Sequence, residues 1–572
     1  MSNDDSGYRG WLHPVFSFIH QLPPSDRLIF HILFATIIAS GLWLTVTWSQ
    51  AISTEISVPG GHLVEGVVGT PRFVNPVLAT SRVDRDLSAL IYRGVMGLDA
   101  GGALVPDLAR EIALNEEATR YTITLRQDVT FHDGRPLTAA DVVFTYQLIS
   151  DADLKSPYRG NWSNVVVEQI DTFTFSLELP EPYTPFIENL TLGILPRHLW
   201  ADIPVAEVPA STLNTNPIGT GPYKVQTVRR SEIGTITEYI LQRADESAQL
   251  ATVSVRIFPT VEELVTALQS GEITSTAMLP VTQLENLPDN FTSNIIALPR
   301  TVAIFFNQNR SEALRSLSVR QALATALDQP FFATEGIPTP HIPNPSPIPY
   351  GYIVLESATT SAPTSSIERA NDAETILTAA GWVRSTENTW ERSTDSGTTT
   401  LAITLRTLNH PDFAMVAERV AEEWRNIGVE VRIEQFEQTD LTNSIIRPRD
   451  FEAILFGVDT SRSVDLYPFW HSSQQTDPGL NLTQYANIRT DRLLEQLREE
   501  QSSIERQEIL QELVTVLHEE LPAIFLYTPT MQYVTSIDLD IVLPARIQGH
   551  HDRFRLLPSW SLERERRWSF FH

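Results

Sequence analysis

The sequence predicts an α/β fold preceded by one transmembrane helix, and three observations carry that expectation. One uncharged apolar run near the N-terminus, Leu28–Trp48, is 21 residues long, enough for a helix to cross a bilayer core of ~30 Å. Beyond it, short alternating segments and longer segments of helical period follow one another, the order that builds sheets covered by helices. The chain has 572 residues, 42% hydrophobic and 20% charged, a folded mixture long enough for two or three domains.

The apolar run, LIFHILFATIIASGLWLTVTW, shows no polar face, which argues against the core helix of a soluble protein. Trp43 and Trp48 near its outer end suit an interfacial belt, while Arg9 and Arg27 before it and Glu55 after it place the N-terminus inside. Ser49-Gln50-Ala51 resembles a cleavage site, but the segment ahead of the run is long for a signal peptide. The expectation is therefore an uncleaved anchor over 28–48, a cytoplasmic segment over 1–27 and a linker over 49–61.

Tyr121–Leu125 and Thr172–Leu179 alternate like half-buried strands. Between them Thr138–Ile149 reads as a helix, with Thr138 as N-cap, Asp141 three residues on, and the turn His132-Asp133-Gly134 just before. Val261–Ser270 reads as a helix stopped by Gly271, Val319–Leu327 as another, and Asp412–Ile427 as an amphipathic helix closed by Gly428. Val429–Ile433 and Asp450–Phe456 read as strands, and Arg489–Glu520 as a final helical region rich in i,i+4 charge pairs. Ile337–Pro349 reads as irregular loop because each proline removes a donor, and Glu356–Ser366 reads as loop from its Ser, Thr and Ala content.

Composition narrows the function classes. Acidic residues outnumber basic ones 70 to 42, for a net charge of −28, which disfavours nucleic acid as a partner. Cysteine is absent, excluding disulfides, thiolate metal sites, Cys nucleophiles and lipid attachment through Cys. Lys155 and Lys224 are the two lysines and the rest of the basic residues are Arg; their scatter reads as compositional bias rather than as anion clamps. There is no Gly-x-Ser-x-Gly, His-Glu-x-x-His or Gly-Lys signature. Gly219–Lys224 lacks the third glycine and the following helix of a dinucleotide loop, and His550-His551 point apart. No cofactor and no metal are expected, and the empty search points to binding rather than catalysis.

An ordered set of phrases resembles one family. Pro71–Pro76, Leu90–Asp99 with Leu104–Ala109, Tyr121–Arg126, Val129–Gly134 and Asp141–Phe144 come first. Ile218–Tyr223, Val319–Ala324 with Ala326–Asp328, Ala379–Trp382 and Ile427–Val431 complete it. Together, over about residues 60–560, they are similar to extracytoplasmic solute-binding proteins of the oligopeptide/dipeptide/nickel class, family 5, which feed ABC importers.

The resemblance implies a two-lobe periplasmic-binding-protein-like fold with a hinge and an inserted subdomain. Lobe I would span 62–305 with the insertion at about 101–210, lobe II 306–522, and 523–572 would return to lobe I and end in a tail. The crossings would fall near Ala303–Phe306 and Ile524–Tyr527. It implies that Asp459, at the end of the strand beginning near Phe451, holds a peptide's α-ammonium, with Phe456 on the pocket wall. Asp465 is a competing candidate, Tyr485 and Asn307 match cleft-side positions, and no partner for a peptide carboxylate is identified. The expected protein is not an enzyme. It is a monomeric, single-pass receptor with its large domain extracytoplasmic, at the cell surface or in the periplasm. It would capture peptides or a similar small solute and deliver them to ABC permease subunits. A surface sensor or adhesion receptor on the same fold, and an anchored hydrolase, are the alternatives. With no cysteine to carry a lipid, the Leu28–Trp48 helix would take over anchoring.

Overall fold

Two strands organise the molecule because their side chains are buried on both faces. In Arg300–Phe306, Val302, Ile304 and Phe306 enter one core while Ala303 and Phe305 enter another. A strand covered on both sides needs an apolar residue at every position, hence the unbroken run Val-Ala-Ile-Phe-Phe. Ala523–Ser536, 14 residues long, behaves alike: Ile524 and Leu526 join the first of these cores, Ala523 and Phe525 the second. Farther along, Met531 and Tyr533 enter a large third core and Val534 a small fourth.

The computed structural model describes residues 23–327, 341–352, 365–386, 388–394, 397–460 and 464–568. They form two compact units, one running up to Pro59 and resuming at Glu563, the other Gly60–Leu562. Within the larger unit, Ala523–Ser536 is the shared member of a mixed sheet of 12 strands. On one side it pairs antiparallel with Arg300–Phe306, followed by Ala453–Asp459, Ala402–Leu408 and Glu430–Phe436, the last three parallel to one another. On the other side come Ser275–Thr276, His62–Val68 and Thr252–Phe258, again parallel, then the antiparallel strands Ile236–Arg243 and Tyr223–Arg230. Ala109–Leu114, Arg120–Leu125, Thr174–Glu178 and Val166–Gln169 make a separate antiparallel sheet packed into the large core.

Most of the expected elements are present at shifted ends. The helix Ala139–Ser150 starts at Thr138, whose N–H and Oγ1 both donate to Asp141 Oδ2, at 2.9 and 2.8 Å. Helices Val261–Gln269 and Pro411–Asn426 end just before Gly271 and Gly428, both at positive φ. Gly219 and Gly221 answer a different need: a Cβ at either would run into the Ile91 backbone, whose carbonyl accepts from the Gly221 N–H at 2.7 Å. His132 closes that loop, accepting from the Gly219 N–H through Nδ1 at 3.3 Å and bonding the Gly221 carbonyl through Nε2 at 3.0 Å. Burial pushes its imidazole down to about 4.

Four expectations change. The final helical region is two helices, Ile488–Glu499 and Ser503–Glu520, because Glu500 turns extended and Ser502 caps the second. His341–Pro343, expected as irregular loop, pairs antiparallel with Tyr527–Pro529; it is a short segment at an edge, where the missing donor of Pro343 is tolerated. Ser365 caps a helix over Ser366–Ala379 that the sequence reading did not place. Residues 53–58, expected within a linker, form a strand paired along its length with Glu563–Trp568. Residues 1–22, Asp328, residues 337–340 and 356–364 and Ser463 lie outside the described residues.

In the smaller unit the apolar run sits inside a helix, Pro24–Ile52. Its stretch Pro24–Thr45 spans 22 residues with none of the apolar window buried by protein. Leu28, Ile37 and Trp43 are each more than 60% exposed. By length and composition the helix is a candidate membrane anchor or a signal segment.

Candidate functional site

The helix Arg82–Ile91 supplies one wall of the site. Ser81 caps it by accepting from the Asp84 N–H at 3.2 Å, and Val83, Leu87, Leu90 and Ile91 bury one side in the large core. The opposite side carries Arg82, Arg85 and Ala89, spaced by three and four residues, and these face two cavities. The cavities measure about 340 and 270 Å³ and share Arg85, Pro299, Asp459, Gln548 and His551. The larger is further walled by Tyr158, Trp162, Tyr183 and Asn189. Residues packed on the large core thus face Asp459 and Thr460, which end a strand of the other half of the sheet. An aromatic and amide lining of this size suits a small polar organic ligand.

Behind the smaller cavity lies a buried ion cluster. Arg553 donates to both Asp86 oxygens at 2.9 and 2.7 Å and to Glu65 Oε1 at 2.8 Å, and all three side chains are at most 1% exposed. Tyr533 and Ser275 donate to the other Glu65 oxygen. Burial alone would push Asp86 up, but the adjacent Arg553 guanidinium outweighs it and holds the carboxyl below its ordinary value. Burial, then Arg82 and Arg553, push His550 down to about 3. Burial likewise lowers His551, so both rings are neutral near pH 7.

Asp459 lines both cavities. It stands opposite Arg300 in the strand register and accepts from Arg300 Nε and Nη2 at 2.6 and 2.8 Å, with 57% of its side chain exposed. The other sequence candidates lie away from these cavities. Phe456 is half-buried against the core that holds Phe305 and Phe525. Tyr485 is buried, its hydroxyl 3.0 Å from Thr490 Oγ1. Asn307 is fully buried and donates to the Arg449 carbonyl at 3.0 Å.

Asp465 is buried in a clasp. Arg498 grips it through Nε at 3.3 Å and Nη2 at 2.8 Å, and the Tyr183 hydroxyl donates to it at 3.1 Å. The Arg498 guanidinium lies between the Tyr467 and Tyr183 rings, 3.8 and 4.9 Å from their centroids. Burial, reinforced by Asp465, pushes the Tyr183 hydroxyl well above its ordinary value.

Sequence reasoning missed Arg82, Arg85, His551 and Tyr158. The i,i+3 spacing of Arg82 and Arg85 is the one local signal that could have found them. Among the described residues no group of three or more His, Asp or Glu is arranged to hold a metal ion.

Comparison with known proteins gives consistent likenesses. The oligopeptide-binding protein AppA of Bacillus subtilis is 27% identical over 515 residues, covering 86% of this chain and 89% of AppA. The structure of HbpA2 from Haemophilus parasuis aligns with TM-score 0.74 at 21% identity, covering 88% of this chain and all of that one. The unliganded open form of the periplasmic murein tripeptide-binding protein MppA aligns with TM-score 0.73 at 18% identity, covering 89% and 98%. The fold is the two-lobe α/β arrangement of these binding proteins. The model for "Bacterial extracellular solute-binding proteins, family 5 Middle" matches residues 103–479, and with well over half of its length matched the chain belongs to the bacterial extracellular solute-binding proteins of family 5.

Proposed function

We propose that this chain is the extracytoplasmic receptor of an ABC importer, binding peptides or a similar small solute without turning them over. The observation that carries the reading is the pair of cavities whose walls come from both halves of the sheet, with Asp459 between them. The lobes would be 62–305 and 306–522, with 523–572 returning to the first and the insertion at about 101–210. Arg300–Phe306 and Ala523–Ser536 would carry the hinge, since they are the strands that adjoin both halves. Ligand shifts such a molecule toward closure by binding the closed arrangement better.

The name of the B. subtilis relative supports peptide as the first ligand class to test. Asp459 would receive the ammonium of a free amino terminus. Its pairing with Arg300 is solvent-exposed and so inexpensive to exchange, at about 0–1 kcal/mol for a pair of this kind. The Pro24–Ile52 helix would anchor a monomer, with the domain outside the cell membrane and permease subunits as partners.

Native mass spectrometry of the detergent-solubilised full chain tests both parts. Co-purified peptide masses are the expected result; a non-peptide cargo, or peptides returned as cleaved products, would refute the peptide-receptor reading. The same spectrum reads the anchor: a mature chain beginning near residue 50 identifies a cleaved signal, and a chain retaining Leu28–Trp48 identifies an anchor.

A further inference from the structure

We infer that the ribbon formed by Ser53–Val58 and Glu563–Trp568 is a second membrane contact, which seats Trp568 and its neighbouring arginines in the headgroup layer of an anionic bilayer. The inference rests on the anchor reading of the Pro24–Ile52 helix and gives a distant part of the chain a partner of its own, a lipid surface.

Strand register joins segments that lie far apart in the sequence. The helix runs to Ile52 and the first strand begins at Ser53 without a break. Ser53 stands opposite Trp568, Thr54 opposite Arg567 and Glu55 opposite Arg566. Trp48, 66% exposed, suits the outer edge of a hydrocarbon core. At a helical rise of ~1.5 Å per residue, Ser53 lies about 7.5 Å beyond Trp48. A headgroup layer is about 5–8 Å deep on each side of the core. Backbone pairing alone therefore brings Trp568 to headgroup level. At a strand rise of ~3.3 Å per residue, Arg566 and Arg567 stay within one Debye length, ~8 Å, of it.

Composition says what the ribbon meets there. Strand alternation assigns positions 564, 566 and 568 to one face and 563, 565 and 567 to the other. The first face thus carries Arg564, Arg566 and Trp568 against a single acid, Glu55, while the second carries Glu563 and Glu565 with Arg567. In a chain of net charge −28, a basic and aromatic face is a local reversal of sign, and it suits an anionic headgroup layer. The ribbon also lacks support from within the protein. It is a sheet of two strands alone, and Val58, Glu563, Arg564 and Glu565 enter none of the four cores. Two strands without a core are marginal in water, so a surface that takes one face supplies what the interior does not. The helix's own flank offers no cation: residues 49–61 contain Glu55 and neither Lys nor Arg. Cations there would oppose the orientation in which the helix inserts, whereas arginines brought from 564–567 arrive after insertion.

Spin labelling of the full chain measures the depth of both parts, and the lack of cysteine makes one introduced thiol the sole attachment point. Leu44→Cys reports the anchor, and Ser569→Cys, next to Trp568 in the sequence, reports the ribbon. Each is reconstituted in nanodiscs of phosphatidylcholine alone and of an equal mixture with phosphatidylglycerol. Collisions with oxygen are then compared with collisions with a neutral, water-soluble nickel chelate. The label at 44 is expected in hydrocarbon in both. The label at 569 should meet the chelate about threefold less often in the anionic discs than in phosphatidylcholine. Arg566→Gln combined with Arg567→Gln should bring that frequency back to the phosphatidylcholine value. A label at 569 equally accessible in both disc types overturns the inference, and so does protection that the double variant leaves unchanged. In either case a label at 44 in hydrocarbon leaves the anchor reading standing. A label at 44 outside the hydrocarbon refutes the anchor reading, and the inference falls with it.

Discussion

Arg553 shows how much one side chain can hold. Its guanidinium is the sole cation in direct contact with Glu65 and Asp86 among the described residues, and none of the three has appreciable exposure. Replacing Arg553 with Ala strands two buried carboxylates, and breaking a buried pair costs about 3–5 kcal/mol. Urea denaturation should record a loss of that size; a change under about 1 kcal/mol would show the cluster to be dispensable. Asp459 is the opposite case, exposed and held by a pair worth little. Asp459→Ala is expected to lower affinity for trialanine about tenfold while leaving N-acetyl-trialanine unchanged. Equal losses for both peptides would remove Asp459 from ammonium recognition. His132 sets a pH limit. Its folded value, about 4, lies below the ordinary 6.5, so its contribution is whole above pH 6.5 and declines as pH falls toward 4. At about 1.36 kcal/mol per pKa unit, the full effect is on the order of 3 kcal/mol. Melting temperatures between pH 7 and 4 should fall less steeply in His132→Asn than in wild type, and identical slopes would contradict the assignment.

At the scale of elements, what was legible in the sequence was what local chemistry decides. Thr138 with Asp141, and Gly428 after an amphipathic run, mark helix ends that the backbone obeys. Ala303–Phe306 was legible as a crossing because its run is wholly apolar, and both of its faces are buried in the strand Arg300–Phe306. What was not legible depends on distant partners. Nothing local to Pro-rich 341–343 shows that Tyr527–Pro529 presents an open edge to it, or that 53–58 meets 563–568. The Gly219-Thr-Gly221 loop is similar: it resembled a phosphate loop in composition, and its glycines exist because Ile91 leaves no room for a side chain. Gly221→Ala forces a Cβ into the Ile91 backbone, and a loss of about 1–3 kcal/mol is expected from thermal or urea unfolding. A neutral outcome would mean that Ile91 and the loop can separate freely.

At the scale of the whole molecule, the site itself was only partly readable. Asp459 could be placed because a strand leads into it, whereas Arg85 gains its surroundings from Tyr158, Glu188, Pro299, Asp459 and His551, scattered over much of the chain. The Asp465–Arg498–Tyr183 clasp joins segments that the proposed lobe boundaries assign to opposite lobes. Arg498→Met should weaken the clasp by removing the guanidinium that contacts Asp465 and the Tyr183 ring, and so favour the open arrangement, seen as a larger radius of gyration by X-ray scattering without ligand. An unchanged radius would show that the clasp does not govern opening. The long strand Ala523–Ser536 carries a further consequence, for biosynthesis. Every one of the four cores takes side chains from it. None of them can be completed until the last tenth of the chain has left the ribosome, long after the N-terminal helix has emerged. Contacts of such long sequence separation also form slowly. A polypeptide built this way completes its cores only when nearly all of it has been made, which suits a chain that is threaded across a membrane before it folds.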